Sequence, residues 1–137
     1  MPELKPYDID RLARAAIEAR DQAYAPHSHF YVGASLLSHD GQIYIGCNVE
    51  NASYSLSICA ERVAASAAVA AGYRNWVAMA IATVGGVTPC GSCRQFLAEF
   101  GLGLPLILVD VLGGQRTKRV LSQLLPEAFD ASQLPTH

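Results

Sequence analysis

Two long apolar runs in the second half of the chain constrain its fold more than any other feature. Val77–Val84 and Leu104–Val111 are each long enough for a strand and show no regular polar alternation, which is typical of strands buried on both faces of a sheet. Between them, Pro89 opens a predicted helix that runs to about Phe100 and stops at Gly101. This strand–helix–strand unit indicates a parallel pair whose two faces both need covering helices.

The rest of the chain supplies those helices and further strands. Asp8 or Asp10 is predicted to cap the first helix, and Asp40-Gly41 indicates a hairpin turn between two strands. The order is therefore α-β-β-α-β-α-β-β, with a mixed sheet. The remaining predicted elements are helices over Asp8 to about Tyr24 and Ile58–Ala71, strands over Phe30–Ser38, Gln42–Val49 and Arg116–Leu121, and one or two helical turns within Ser122–Leu134.

Length and charge restrict the class of function. The 137 residues are 51% hydrophobic and 16% charged, which predicts a single folded domain over residues 1–137. The formal net charge is -2, and the one local basic cluster, Arg116, Lys118 and Arg119, is interpreted as charge that protects an edge strand. A nucleic-acid partner is therefore not expected.

The cellular compartment expected for the protein determines how its cysteines are interpreted. Met1–Asp10 lacks an apolar segment of the signal-peptide type, and no apolar run is long enough to span a bilayer. The sequence thus predicts a cytoplasmic protein without a membrane partner. Thiols stay reduced in that compartment, so the four cysteines favour metal binding or catalysis over disulfides.

Three cysteines stand at predicted helix starts. Cys90 and Cys93 lie three residues apart and share one face of a helix, while Cys59 begins another. The partial positive charge of a helix N-terminus favours the thiolate. Three thiolates on tetrahedral Zn²⁺ leave the fourth position open for water, which is the arrangement of a catalytic site.

The residues next to these cysteines suggest further roles. Glu61 stands two residues after Cys59, where its carboxylate could exchange protons with a water at the open position without binding the metal. Three thiolates exceed the charge of Zn²⁺ by one. Arg62 or Arg94 could hydrogen-bond the sulfurs and offset that excess, and Arg62 is the preferred candidate.

The cysteine pattern also has plainer interpretations. A lone Cys-x-x-Cys is compatible with a redox pair or with half of a structural zinc site. A structural site needs a fourth ligand, for which Cys47 or a histidine is available. Cys47 lies in an apolar strand, where a buried free thiol is the ordinary outcome. His27, His29 and His39 lie in loops or turns without metal-ligand spacing, so a non-ligand role is expected for each.

The chain resembles a known enzyme family. Cys59-Ala60-Glu61-Arg62 and Pro89-Cys90-Gly91-Ser92-Cys93 correspond to the zinc signature of deaminases in its three-cysteine form. Ser28–Ala34, Gly46–Tyr54 and Leu124–Phe129 also resemble the short, single-zinc cytidine deaminases. The resemblance covers nearly the whole chain in order.

The resemblance implies a fold, an assembly and an activity. The fold is a three-layer α/β/α architecture around a mixed five-stranded sheet. The assembly is a homotetramer with active sites at subunit interfaces. The activity is the zinc-dependent hydrolysis of cytidine and 2'-deoxycytidine to uridine and 2'-deoxyuridine plus ammonia, in pyrimidine salvage.

The resemblance also assigns roles to individual residues. It makes Glu61 the proton shuttle, and it makes the Ala60 N–H a donor to the base carbonyl. The zinc ligands that it implies are Cys59, Cys90 and Cys93. The substrate contacts that it implies are Phe30 on the pyrimidine, Asn48 and Glu50 on the ribose 3'-hydroxyl, and Tyr54 and Phe129 in a neighbouring subunit's site, with Phe129 stacking on the base.

Some positions depart from the family pattern, and other functions compete with this one. His27 stands where Tyr is common, Tyr31 where Pro is common and Ser55 where Gly is common; these changes bear on substrate preference.

One alternative substrate is a modified cytosine nucleoside or an aminonucleoside antibiotic. An editing deaminase acting on RNA or DNA is disfavoured by the missing basic surface and the 3'-hydroxyl contact. A zinc-stapled interaction module is the non-enzyme alternative.

Overall fold

The computed structural model centres on a five-stranded sheet of order β2-β1-β3-β4-β5. It describes residues 4–135, so the ends of the predicted domain (residues 1–137) and the start of Met1–Asp10 lie outside the described residues. Only β3 and β4 pair in parallel; the other neighbours are antiparallel, which confirms the predicted mixed sheet. The strands are β1 (Gly33–Ser38), β2 (Ile43–Cys47), β3 (Trp76–Thr83), β4 (Pro105–Asp110) and β5 (Arg116–Val120).

Helices cover both faces of the sheet, as the apolar strands require. Helix α1 (Pro6–Arg20) packs on one face, where Leu12 and Ala16 join a core with strand side chains such as Leu37. Helices α2 (Ala60–Ala70) and α3 (Gly91–Ala98) cover the other face. The three-layer architecture is therefore as expected, with β3 in the middle and the basic β5 at one edge.

The order of elements agrees with the prediction, but several boundaries differ. The predicted cap at Asp8 or Asp10 is wrong: Lys5 precedes the helix, and Asp8, in the first turn, accepts a hydrogen bond from the Lys5 N–H at 3.2 Å. Pro6 explains the earlier start, because its missing N–H and fixed φ suit the first helical position. Helix α3 likewise begins one residue after Cys90 rather than at Pro89.

Gly46 of β2 sets the position of α2. A Cβ built at Gly46 would lie 2.4 Å from the Ala64 nitrogen and 2.5 Å from the Ala60 oxygen. The helix backbone therefore rests directly on the strand, at a distance that no side chain permits. This contact fixes the first turn of α2, which carries Glu61.

Beyond the sheet, the described chain adds short helical pieces. Helix α4 (Leu121–Leu124) follows β5, and 3₁₀ turns occupy Tyr54–Leu56 and Ala131–Gln133. The tail therefore contains the short helical turns that were predicted, whereas the turn at Tyr54–Leu56 was not predicted. Among residues 4–135, the helices are too short or too polar to cross a bilayer.

Candidate active site

The N-termini of α2 and α3 meet and bring three thiols together. Cys59 is the N-cap of α2, Cys90 is the N-cap of α3, and Cys93 lies in the first turn of α3. Their sulfur atoms all lie within 4.8 Å of one another, and the Cys59 and Cys90 sulfurs are 3.9 Å apart. Tetrahedral Zn–S bonds of about 2.3 Å imply sulfur separations of about 3.8 Å. The cluster thus has the donor atoms and the spacing to hold a zinc ion.

The charge on the cluster is distributed unevenly between the thiols. A hydrogen bond from Cys93, and then the Arg62 guanidinium, together lower the pKa of Cys59 to about 5. The same sharing, together with burial, raises the pKa of Cys93. These opposite shifts favour a thiolate at Cys59 and a protonated thiol at Cys93. Binding of a metal would displace that proton.

The Arg62 side chain lies beside the sulfur cluster, whereas the Arg94 side chain hydrogen-bonds to backbone carbonyl groups. The Arg62 Nη2 atom lies 3.8 Å from the Cys59 sulfur, and its buried Nε has no hydrogen-bond partner among the residues that the structure describes. A guanidinium with an unused buried donor beside three thiols suits a group that carries excess negative charge. Arg94 instead donates to the Pro89 carbonyl at 2.7 Å and to the Leu124 carbonyl at 2.9 Å.

Glu61 is the buried carboxyl group of the site. It is the second residue of α2 and only 5% exposed, yet it borders the same cavity as Cys59 and Cys90. Burial raises the pKa of Glu61, and the nearby Cys59 thiolate raises it further. A carboxyl group whose pKa moves towards neutrality can both accept and release a proton under working conditions.

A cavity of about 350 Å³ opens above the sulfur cluster, a volume suited to a small ligand. Its apolar walls suit a flat ring, and its few polar groups lie at separate positions. It is lined by Ser28, Phe30, Val32, Asn48, Glu50, Cys59, Ala60, Glu61, Ile81, Thr83, Val87, Thr88, Pro89 and Cys90. The structure therefore brings Phe30, Asn48, Glu50 and Ala60 around one space with the cysteines.

Asn48 and Glu50 stand at the end of the cavity formed by the chain after β2. The Asn48 side chain donates to the Phe30 carbonyl at 2.7 Å and accepts from the Val32 N–H at 2.9 Å. It thereby fixes the segment that carries the Phe30 ring. Its amide retains one further N–H and one further lone pair for a ligand.

Ser28 is a site residue to which the sequence analysis gave no role. Its hydroxyl donates to one oxygen of Glu50, while the N–H groups of His27 and Ser28 donate to the other at 2.9 and 3.0 Å. These hydrogen bonds lower the pKa of Glu50, and the bond from the Ser28 hydroxyl makes the largest contribution. The next residue, His29, has a φ of 57°, which is unusual for a residue with a side chain. Its only sequence signal was the position of Ser28 within the family-like stretch.

Tyr54 and Phe129 lie outside this cavity. Tyr54 is 76% exposed and borders a smaller adjoining space of about 290 Å³ together with His27, Ser28 and Glu50. Phe129 is 55% exposed, and its carbonyl accepts a hydrogen bond from Gln95 at 2.9 Å. Neither ring completes the cavity of its own chain.

Cys47 and the predicted non-ligand histidines stay apart from the sulfur cluster. Cys47 ends β2 as a half-buried free thiol. Within residues 4–135, Cys59, Cys90 and Cys93 are the only His, Cys, Asp or Glu side chains that form a group of three able to hold a metal ion. A four-ligand structural site is therefore not formed in the described chain.

Comparison with known proteins gives a consistent result. The family model for the cytidine and deoxycytidylate deaminase zinc-binding region matches residues 6–107. Cytidine deaminase from Sporosarcina psychrophila is 45% identical over 93% of this chain and 95% of its own, and that of Mycobacterium tuberculosis H37Rv is 39% identical over 98% and 97%. The crystal structure of cytidine deaminase from Burkholderia pseudomallei has a TM-score of 0.85 and 44% identity, covering 92% of this chain and all of its own.

Proposed function

Because this chain belongs to the cytidine and deoxycytidylate deaminase family, and so is a zinc-dependent enzyme that deaminates cytidine, we propose which residues carry out the reaction. Cys59, Cys90 and Cys93 hold the zinc ion, and Glu61 moves the protons. The observation that carries this proposal is a cluster of three thiols, two of which, Cys59 and Cys90, border a single cavity together with the buried carboxyl group of Glu61.

Zinc held by Cys59, Cys90 and Cys93 would supply a reactive water at neutral pH, because a metal in a site with an open position lowers the pKa of its water to about 7. The donor set suits that ion, since thiolates are preferred zinc ligands. Arg62 offsets the excess negative charge of three thiolates through its contact with the Cys59 sulfur.

Glu61 transfers two protons in turn. It accepts the first from the attacking water and delivers it to N3 of the cytosine ring as the new C4–O bond forms. It then carries the second, from that oxygen, to the amino group, so the C4–N bond breaks and ammonia leaves. Burial of Glu61 suits both roles because it raises the pKa of the carboxyl group.

Four other residues of the cavity hold the nucleoside. Phe30 packs against the pyrimidine. The Ala60 N–H has no acceptor within its own helix, because Ala60 is the first residue of α2, and it donates to the base carbonyl. Asn48 and Glu50 hydrogen-bond the ribose 3'-hydroxyl, and the lowered pKa of Glu50 keeps it an acceptor.

The substrates are nucleosides, including 2'-deoxycytidine, rather than nucleotides or nucleic acid. Glu50 would repel a 3'-phosphate, and the net charge of -2 gives no basic surface for a phosphate backbone. A modified cytosine nucleoside remains the second choice, although no contact in the site favours one.

The setting of the enzyme is also part of the proposal. We place it in pyrimidine salvage in the cytoplasm, as a homotetramer in which Tyr54 and Phe129 of one chain border the site of another. Their exposure supports this arrangement, since two large aromatic side chains are left uncovered by their own chain.

An absorbance assay with cytidine, 2'-deoxycytidine, CMP, cytosine and a single-stranded oligonucleotide tests the substrate assignment. We expect turnover of the two nucleosides and none of the others. Efficient deamination of CMP or of the oligonucleotide would contradict the roles given to Glu50 and to the surface charge.

A further inference from the structure

Arg94 links the loop before Cys90 to a distant part of the chain. Its Nε donates to the Pro89 carbonyl at 2.7 Å, and its Nη2 donates to the Thr88 hydroxyl at 3.0 Å. Its Nη1 donates to the Leu124 carbonyl at 2.9 Å, thirty residues further along the chain. A guanidinium presents its donors in a rigid plane, so these three bonds fix α4 relative to the loop.

The next residue extends this link. Gln95 donates from Nε2 to the Phe129 carbonyl at 2.9 Å. Arg94 and Gln95 thus hold the two ends of the stretch Leu124–Phe129, here called the C-terminal segment. Arg94 and Gln95 are the first and second residues after Cys93 in α3.

The metal-binding loop is therefore held from both sides. Cys90 and Cys93 fix it when they bind the metal, and Arg94 fixes the two residues immediately before Cys90. The backbone N–H of Arg94 also donates to the Cys90 carbonyl at 3.0 Å. This bond closes the first helical turn, which contains Cys93. A movement of this loop would shift two of the three acceptors of Arg94.

We propose that Arg94 is a positioning residue that couples metal binding to the placement of the C-terminal segment. This inference rests on the proposed function, because it takes Cys90 and Cys93 as zinc ligands. Binding of the metal orders the loop, Arg94 transmits that order to Leu124, and Phe129 is held where a neighbouring chain would use it. Coupling of this kind is reciprocal, so loss of Arg94 weakens metal retention as well.

Hydrogen–deuterium exchange of residues 122–130 tests the coupling, measured on the zinc-loaded and the chelated protein. In the wild type we expect zinc to slow this exchange by about tenfold. Arg94→Met should reduce that zinc effect to less than about twofold. Arg94→Lys keeps the cation but not the planar fork, and we expect an intermediate effect.

Zinc release to a colorimetric chelator gives the reciprocal measurement. Arg94→Met should release zinc about 10- to 100-fold faster, the range typical for residues that support metal ligands. Gln95→Met is the matched control, since it removes the bond to Phe129 without touching the loop. It should speed exchange at residues 127–130 and leave zinc release unchanged.

Three results would overturn the coupling. They are a wild-type segment indifferent to zinc, an Arg94→Met segment that keeps the full zinc effect, and equally fast zinc release from Arg94→Met and Gln95→Met. Failure of the proposed ligand set is distinguishable, because Cys90→Ala or Cys93→Ala would then still bind one zinc per chain.

Discussion

At the scale of single residues, the ionisation of Glu50 depends on Ser28. The hydroxyl and two backbone N–H groups bond the carboxylate and lower its pKa. Because the pKa of Glu50 is lower in the folded protein than in the unfolded chain, its ionisation stabilises the fold at pH values above the unfolded pKa of about 4.3. This stabilisation is lost as the pH falls through the folded pKa.

Ser28→Ala should therefore destabilise the protein in a pH-dependent way. We expect the wild type to exceed the variant in free energy of unfolding at pH 7, and this difference to shrink below about pH 4 as Glu50 becomes protonated. Urea unfolding at several pH values measures it. A difference that is constant from pH 7 to pH 3 would show that Ser28 does not act through the carboxylate.

Arg62 is expected to matter through its charge as well as its hydrogen bond. Arg62→Gln keeps a donor near the Cys59 sulfur but removes the cation. Metal affinity or activity should fall about 10- to 100-fold, as measured by chelator competition and by the deamination assay. Arg74→Gln, at an exposed arginine before β3, is the control; equal behaviour of the two variants would contradict the role of Arg62.

At the scale of elements, the position of α2 on β2 determines where Glu61 lies. The strand offers no side chain at Gly46, and the helix backbone occupies that space. The first turn of α2 therefore cannot move towards the sheet, and it cannot accept a side chain beneath it. Packing this tight converts a small substitution in the strand into a displacement of the active-site turn.

Gly46→Ala should lower stability by about 1–3 kcal/mol, the usual cost of overpacking, and should also reduce zinc content. Gly103→Ala is the matched control, because a Cβ there would meet no atom within 4 Å. Thermal unfolding and metal analysis of both variants check this. Equal stability of the two variants would mean that α2 shifts without cost.

The helices and strands were more predictable from the sequence than the contacts between them. The runs around β3 and β4 predicted buried strands because burial on both faces requires apolar residues at every position. The helix starts at Cys59 and Cys90 predicted the sulfur cluster. The cap of α1 was wrong because Pro6 allows an earlier start.

Other features had no local signal. The hydrogen bond between Ser28 and Glu50 joins residues 22 positions apart, and the left-handed backbone at the neighbouring His29 has no sign in the sequence. The bond from Arg94 to Leu124 joins residues thirty positions apart. Sequence spacing placed Arg94 beside a proposed metal ligand, but only the three-dimensional structure shows that its guanidinium points to carbonyl groups.

At the scale of the whole molecule, the cavity of one chain is bordered by Cys59, Cys90 and the buried carboxyl group of Glu61, whereas two aromatic residues with proposed roles lie outside it. Tyr54 and Phe129 are largely exposed, so a site that uses them needs a second copy of the chain. We expect sedimentation at assay concentration to show a tetramer. A fully active monomer would contradict this expectation and remove the role of Phe129.

Mixing of subunits tests the role of Phe129 directly. Phe129→Ala should weaken activity at low cytidine concentration roughly 5- to 150-fold, as loss of one base–aromatic stack costs about 1–3 kcal/mol. Mixed with inactive Glu61→Gln chains, the Phe129→Ala chains should regain activity, because their intact Glu61 then receives a neighbour's Phe129. No gain on mixing would mean that Phe129 acts within its own chain or not at all.

The most direct test of the whole account is the zinc content and turnover number of Glu61→Gln, measured on the same sample, with Glu18→Gln on the exposed side of α1 as control. The substitution keeps the shape of the side chain and removes its titrating group. We predict one zinc per chain and a loss of at least about 10²- to 10⁴-fold in turnover, with the upper end expected because one residue handles both proton transfers. Near-normal turnover would contradict the shuttle, and loss of zinc would show that Glu61 is a ligand.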